Sequence, residues 1–228
     1  MEKVSIIGLD LAKRRFQMHG ARADGGVAFR KTLSRDRVLA FLAEHPRCVV
    51  AMEACGSAHH WGRAIGALGH EVRLIAPVYV KPFVRRQKND AADAEAICEA
   101  AVRPAMRFVA VKTEEQQARA MLFRTRDLLV RQRTQLINAL RGHLTEPGVV
   151  APQGPANVKG LAEAIGSETT PLPLLVVELS RVFRDQIDGL SKTIAELEKA
   201  TVQEATRGTT MRRLQTMPGV GPIMRDGD

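Results

Sequence analysis

The sequence predicts an α/β protein, a mixed β-sheet with helices packed on it, followed by a region of long helices. Three observations lead there. Short apolar runs bounded by Gly and Asp come three in a row, as in an antiparallel meander. Further apolar runs then alternate with segments of helical spacing, which implies strands joined through helices. Beyond Val111 turn residues become scarce and apolar residues recur at heptad-like intervals, the pattern of long helices.

In order, Val4 to Leu9 is a buried strand that runs into Asp10. Arg15 to His19 and Gly26 to Lys31 complete the meander. Asp36 to Glu44 has helical spacing at Val38, Leu39, Phe41 and Leu42. Cys48 to Met52 is a second buried strand, meeting Glu53. Trp61 to Leu68 reads as a helix and Glu71 to Ile75 as a fifth strand. Asp90 to Ala101 is rich in alanine, the strongest helix former. Together these make a domain of residues 1–105.

Residues 106–208 form the helical region. Glu114 to Leu144 contains no proline, and Leu122, Leu129 and Leu136 lie seven apart along one seam, with Leu140 following. Arginines decorate this helix, Arg124 and Arg131 among them. The stretch Pro147 to Pro155 is a linker or exposed loop, and Leu161 to Ile165 fits a short helix. A second long helix is predicted from Leu174, with a stripe of Leu179, Phe183, Ile187, Leu190, Ile194 and Leu197. Two such helices fit an antiparallel hairpin, within the chain or between chains. In the last segment, 209–228, Pro218-Gly-Val-Gly221 forces a tight turn.

Of the 228 residues 45% are hydrophobic, ample for a core. Lys and Arg total 34 against 25 Asp and Glu, a net charge of +9. A surplus of that size favours a polyanion, of which nucleic acid is the usual one, over a merely solvated basic surface. No apolar run reaches the roughly 18–20 residues of a membrane helix, and the N-terminal apolar stretch is cut short by Asp10, too early for a signal peptide. The expectation is a cytoplasmic protein without a membrane partner. Cys48, Cys55 and Cys98 form no Cys-x-x-Cys pair, which argues against a disulfide framework or thiolate zinc site. His59 and His60 are adjacent, a poor chelating geometry, and read as structural or surface residues.

Four carboxylates stand out. Asp10 and Glu53 each end a buried strand, where a carboxylate is costly unless it meets a cation or a donor. Asp90 and Asp93 stand at i and i+3, on one face of a helix. Convergent oxygen ligands of this kind suit Mg2+ or Mn2+ rather than zinc, and paired ions can activate a nucleophile and stabilise a leaving oxygen in phosphodiester chemistry. Each residue also has a structural reading: Asp90 as an N-cap, Asp93 in a capping box, Asp10 in a turn, Glu53 paired with an arginine. Arg85, Arg86 and Lys88 lie just before the Asp90 helix, either holding a phosphate backbone or forming a solvated basic loop.

Gly8-Leu-Asp-Leu-Ala-Lys13, Met52-Glu-Ala-Cys-Gly-Ser57, Lys88-Asn-Asp-Ala-Ala-Asp-Ala-Glu-Ala-Ile97 and Leu214-Gln-Thr-Met-Pro-Gly-Val-Gly-Pro222 occur in this order along nearly the whole chain. In them the chain resembles the DEDD transposases of bacterial insertion sequences, the group that includes the Piv-type DNA invertases and the bridge-RNA-guided recombinases. The Asp-x-x-Asp segment with its leading Lys is the most specific part. The resemblance implies an RNase H-like, RuvC-type fold for residues 1–105 and a metal-binding tetrad of Asp10, Glu53, Asp90 and Asp93. It also implies a coiled-coil region that assembles dimers and tetramers on DNA, a guide RNA encoded by the element, and a C-terminal domain with a serine nucleophile. Residues 209–228 match only the opening of that last domain, and no serine fits its motif. The expectation is a truncated transposase that keeps the metal pocket and nucleic-acid binding but does not complete recombination alone. Two other readings compete: a Holliday-junction-type nuclease that cuts without a serine, and a non-catalytic copy that binds nucleic acid and pairs with full-length subunits as an inhibitor.

Overall fold

The computed structural model describes residues 4–84, 90–150, 172–207, 213 and 216–217; for Asp90 and Ala91 it describes the backbone. Arg85, Arg86, Lys88, the Leu161 to Ile165 segment and the Pro218-Gly-Val-Gly221 turn lie outside the described residues. The chain divides into two compact units, Met1–Glu115 and Gln116–Asp228.

The first unit is built on six strands: β1 (Ile6–Asp10), β2 (Arg15–Ala21), β3 (Val27–Ser34), β4 (Val49–Glu53), β5 (Glu71–Ile75) and β6 (Phe108–Val109). Their order across the sheet is β3-β2-β1-β4-β5-β6. The meander β1–β2–β3 is antiparallel, β4 and β5 add in parallel to β1, and β6 closes the edge antiparallel to β5. This is the expected mixed α/β sheet, with the architecture of an RNase H-like fold. The two-residue β6 carries too short a pattern to be read from sequence.

Side chains alternate across a strand, so β1, β2, β4 and β5 each feed two cores. On one face α1 (Val38–Ala43) and α2 (Ala58–Ala67) cover Ile7, Leu9, Val50, Met52 and Leu74. Large side chains fill this layer, and Trp61 meets Phe16 edge-on with ring centres 4.8 Å apart. His59 accepts a hydrogen bond from the Lys112 backbone N–H at 3.1 Å, a structural role. On the other face lie the single turn α3 (Pro77–Val80) and α4 (Asp90–Ala101), against Ile6, Ala51 and Ile75. Here the helix side of the layer is mostly small: Ala94, Ala96, Cys98, Ala100 and Ala101 are buried, alongside the larger Ile97. At the contact with β1 the sequence has Gly8, where an added Cβ would fall on the Ala94 carbonyl oxygen and 3.0 Å from Cys98 Cβ. The alanines of α4 therefore do more than favour helix: they let its backbone lie directly on the sheet. Arg73 of β5 finishes the layer by donating to the Ala101 carbonyl at 3.0 Å, at the helix C-terminus.

The second unit contains two long helices, α5 (Glu114–Thr145, which starts at the end of the first unit) and α6 (Leu174–Arg207). They pair antiparallel within the chain. Arg126 near the start of α5 donates to Glu198 near the end of α6, through Nη2 at 2.7 Å and Nε at 3.2 Å. Ile137, Leu140 and Leu144 pack with Ile187 and Phe183 at the opposite end. The predicted stripe of α6 is only partly used in this seam. Ile187 and Ile194 are buried, whereas Leu179 is 53% exposed and shares its face with the exposed Leu175 and Val182.

Candidate metal centre

β1 and β4 run parallel with Leu9 opposite Met52, so both strands finish on a carboxylate at the same edge of the sheet. Alternation also decides which face these acids take. Ile6 and Gly8 face α4, and Asp10 continues that set; Ala51 faces α4, and Glu53 follows it. Gly8 meets Ala94 and Cys98, and Ser5 and Ile6 at the start of β1 line a cavity with Cys98, Glu99 and Val102, so the N-terminal turn of α4 lies toward the strand ends. That turn contains Asp90 and Asp93.

Electrostatics agree with this placement. Burial, and after it the neighbouring Asp93 carboxylate, push the Glu53 carboxyl above its ordinary value, while Lys81 pulls it back. Glu53 and Asp93 thus lie within each other's field, with one cation nearby. Glu95, two residues past Asp93, turns elsewhere and binds Arg30 of β3 at 3.1 Å. Among the described residues no group of three or more His, Cys, Asp or Glu converges closely enough to hold a metal ion. The Asp90 side chain is outside that set. The donors present are oxygens only, with gathered negative charge, which is the chemistry of a hard divalent cation.

Lys81 is the residue that the sequence reading missed. It precedes the Arg85–Lys88 run by a few residues, and its one sequence signal is that it opens the basic stretch leading into α4. Of the arginines on α5, Arg124 and Arg131 are exposed on one side of the helix, while Arg126 is engaged with Glu198. No described helix is long and apolar enough to cross a membrane.

An RNase H-like sheet whose central parallel strands end in carboxylates, beside a helix that opens with Asp-x-x-Asp, defines a class of nucleic-acid-processing folds. Within it the chain belongs to the DEDD transposase family of the IS110 type, described as "Transposase", which matches residues 7–147. It is 49% identical over 223 residues to a Pseudomonas aeruginosa protein named "Probable family 20 transposase", covering 96% of this chain and 66% of the relative. It is 43% identical to the transposase for insertion sequence element IS1328 of Yersinia enterocolitica, covering 98% of this chain and 66% of the relative. To the transposase for insertion sequence element IS1111A of Coxiella burnetii it is 36% identical, with 97% and 61% covered. The chain thus spans less than two thirds of the length of these relatives.

Proposed function

We propose that this chain works in the transposition of insertion-sequence DNA and binds Mg2+ or Mn2+ through Asp10, Glu53, Asp90 and Asp93. The observation that carries the reading is the pairing of two strand-end acids on the α4 side of the sheet with Asp93 close enough to raise the Glu53 carboxyl. A divalent ion held there supplies Lewis-acid polarisation of a DNA phosphate. The chain's own residues do the rest. Asp10 and Glu53 are fixed by strand pairing and so present rigid ligands. Lys81 moderates the repulsion between Glu53 and Asp93. Arg85, Arg86 and Lys88 precede the acidic turn in sequence and suit contact with the DNA backbone beside it. Arg124 and Arg131, exposed on α5, suit a DNA or guide-RNA backbone.

The exposed Leu175, Leu179 and Val182 of α6 favour assembly of a homodimer or tetramer through the helical unit.

Calorimetric titration of Mg2+ and Mn2+ into the parent chain and into Asp93→Asn tests the metal reading. Binding by the parent and its loss in a folded variant are expected. No binding by the parent, with nucleic acid present or absent, would sink it and leave a non-catalytic, nucleic-acid-binding role.

A further inference from the structure

Away from the carboxylates, the first unit has a cavity of about 250 Å³ between α3, the turn after it and the segment that follows α4. Tyr79, Phe83, Arg103, Ala105, Met106 and Arg107 line it. Two features set it apart from the rest of the surface. Tyr79 is the one tyrosine of the chain and is 45% exposed, whereas Phe16 and Trp61 are spent in the core. Arg103 and Arg107 are both exposed, and among the described residues neither has a carboxylate in ion-pair reach. Arg103 lies over the Phe83 ring at 5.3 Å. An aromatic face beside unneutralised guanidinium groups is the arrangement that holds a base by stacking and its phosphates by charge.

We propose that this cavity seats one unpaired base of a nucleic-acid strand, stacked on Tyr79 and Phe83, with flanking phosphates on Arg103 and Arg107. The inference rests on the nucleic-acid role proposed above and adds a site to it. A single base is the occupant because the cavity is smaller than the roughly 300–1,000 Å³ typical of ligand pockets. The base is unpaired because a ring inside a duplex presents no free face to a side chain. The location fits the role: Lys81, which acts on Glu53, lies between Tyr79 and Phe83 in the chain. A base held here would anchor the strand on the turn that also carries Lys81. DNA and RNA share this chemistry, and the test separates them.

The test measures binding of single-stranded DNA, single-stranded RNA and duplex DNA of one sequence to the full chain by fluorescence anisotropy. Tyr79→Ala and the Arg103→Gln/Arg107→Gln pair are compared with the parent and with Tyr79→Phe. Tyr79→Ala is expected to weaken single-strand binding about 5- to 100-fold, duplex binding less than about twofold, and Tyr79→Phe to keep parent affinity. A loss confined to RNA or to DNA supports the site and names the strand. A 5-iodouracil strand should crosslink at Tyr79 in the parent, a readout independent of how well the variants fold. Equal weakening of single strand and duplex, or no crosslink at Tyr79, overturns the proposal. The metal titration is untouched by that result, so the carboxylate reading stands or falls on its own.

Discussion

The two faces of the sheet in the first unit solve opposite problems. Toward α1 and α2 the layer is thick and filled with Phe16, Leu42, Trp61 and Ile65, so its stability comes from apolar volume removed from water. Toward α4 it is thin, closed by Gly8, Ala94 and Cys98, so the helix backbone sits on the strand. The thick face stabilises; the thin face measures distance. Where the helix rides this close, Asp93 of its first turn shares a field with Glu53 at the end of β4. A fold can thus divide cohesion and ligand geometry between the two sides of one sheet.

The comparison breaks most sharply by emptying the thick face. Trp61→Ala should cost about 3–5 kcal/mol in urea unfolding, yet leave the metal affinity of the folded fraction within about twofold of the parent. A parallel collapse of metal binding would show that the two faces are not separable. Next in size is Gly8→Ala, whose methyl meets the Ala94 carbonyl. A loss of about 1–3 kcal/mol is expected, and here metal binding should fall out of proportion, because α4 must lift. Full metal affinity with lowered stability would refute the spacing role.

Two smaller effects are read through pH. The folded-state pKa of Glu53 is raised, so its proton stabilises the fold at low pH and that contribution is lost as pH rises through the folded value. Without metal, Glu53→Gln should therefore melt higher than the parent at pH 7, and the gap should close as pH falls toward 4.5. With Mg2+ the order should reverse, since only the parent gains from the ion. His19 on β2 shows the opposite sign. It is 4% exposed, and burial lowers its pKa below 6.5, with Arg30 acting the same way and Glu95 and Glu99 opposing. Its contribution is present above 6.5 and is lost as pH falls through the folded value. The melting temperature of His19→Gln should change less than the parent's between pH 7.5 and 5.5. Equal slopes would remove His19 from the account.

Period-2 and helical patterns made most of this architecture legible. β5 and α4 have the bounds expected from sequence, and α5 runs one residue further. β1 and β4 end on their acids as the sequence predicts, with Asp10 pairing Gln17 and Glu53 pairing Ile75 in the ladders. The alternation that aims both acids at α4 was already in the text of Gly8 and Ala51, but it has meaning only once the covering helix of each face is known. Lys81 and the Tyr79–Arg103 cavity were out of reach for another reason. They join residues from different elements, and no local period links a turn after β5 to the end of α4. The stripe on α6 was legible as a stripe, but periodicity does not say which of its positions a neighbour covers. Leu179 carries the same apolar signal as Ile187 and is left in solvent.

That bare stretch of α6 has a consequence for gene dosage. An apolar strip covered by a second copy makes the covered fraction depend on how many copies are present. If a second copy is the cover, doubling expression more than doubles the paired species while pairing is weak.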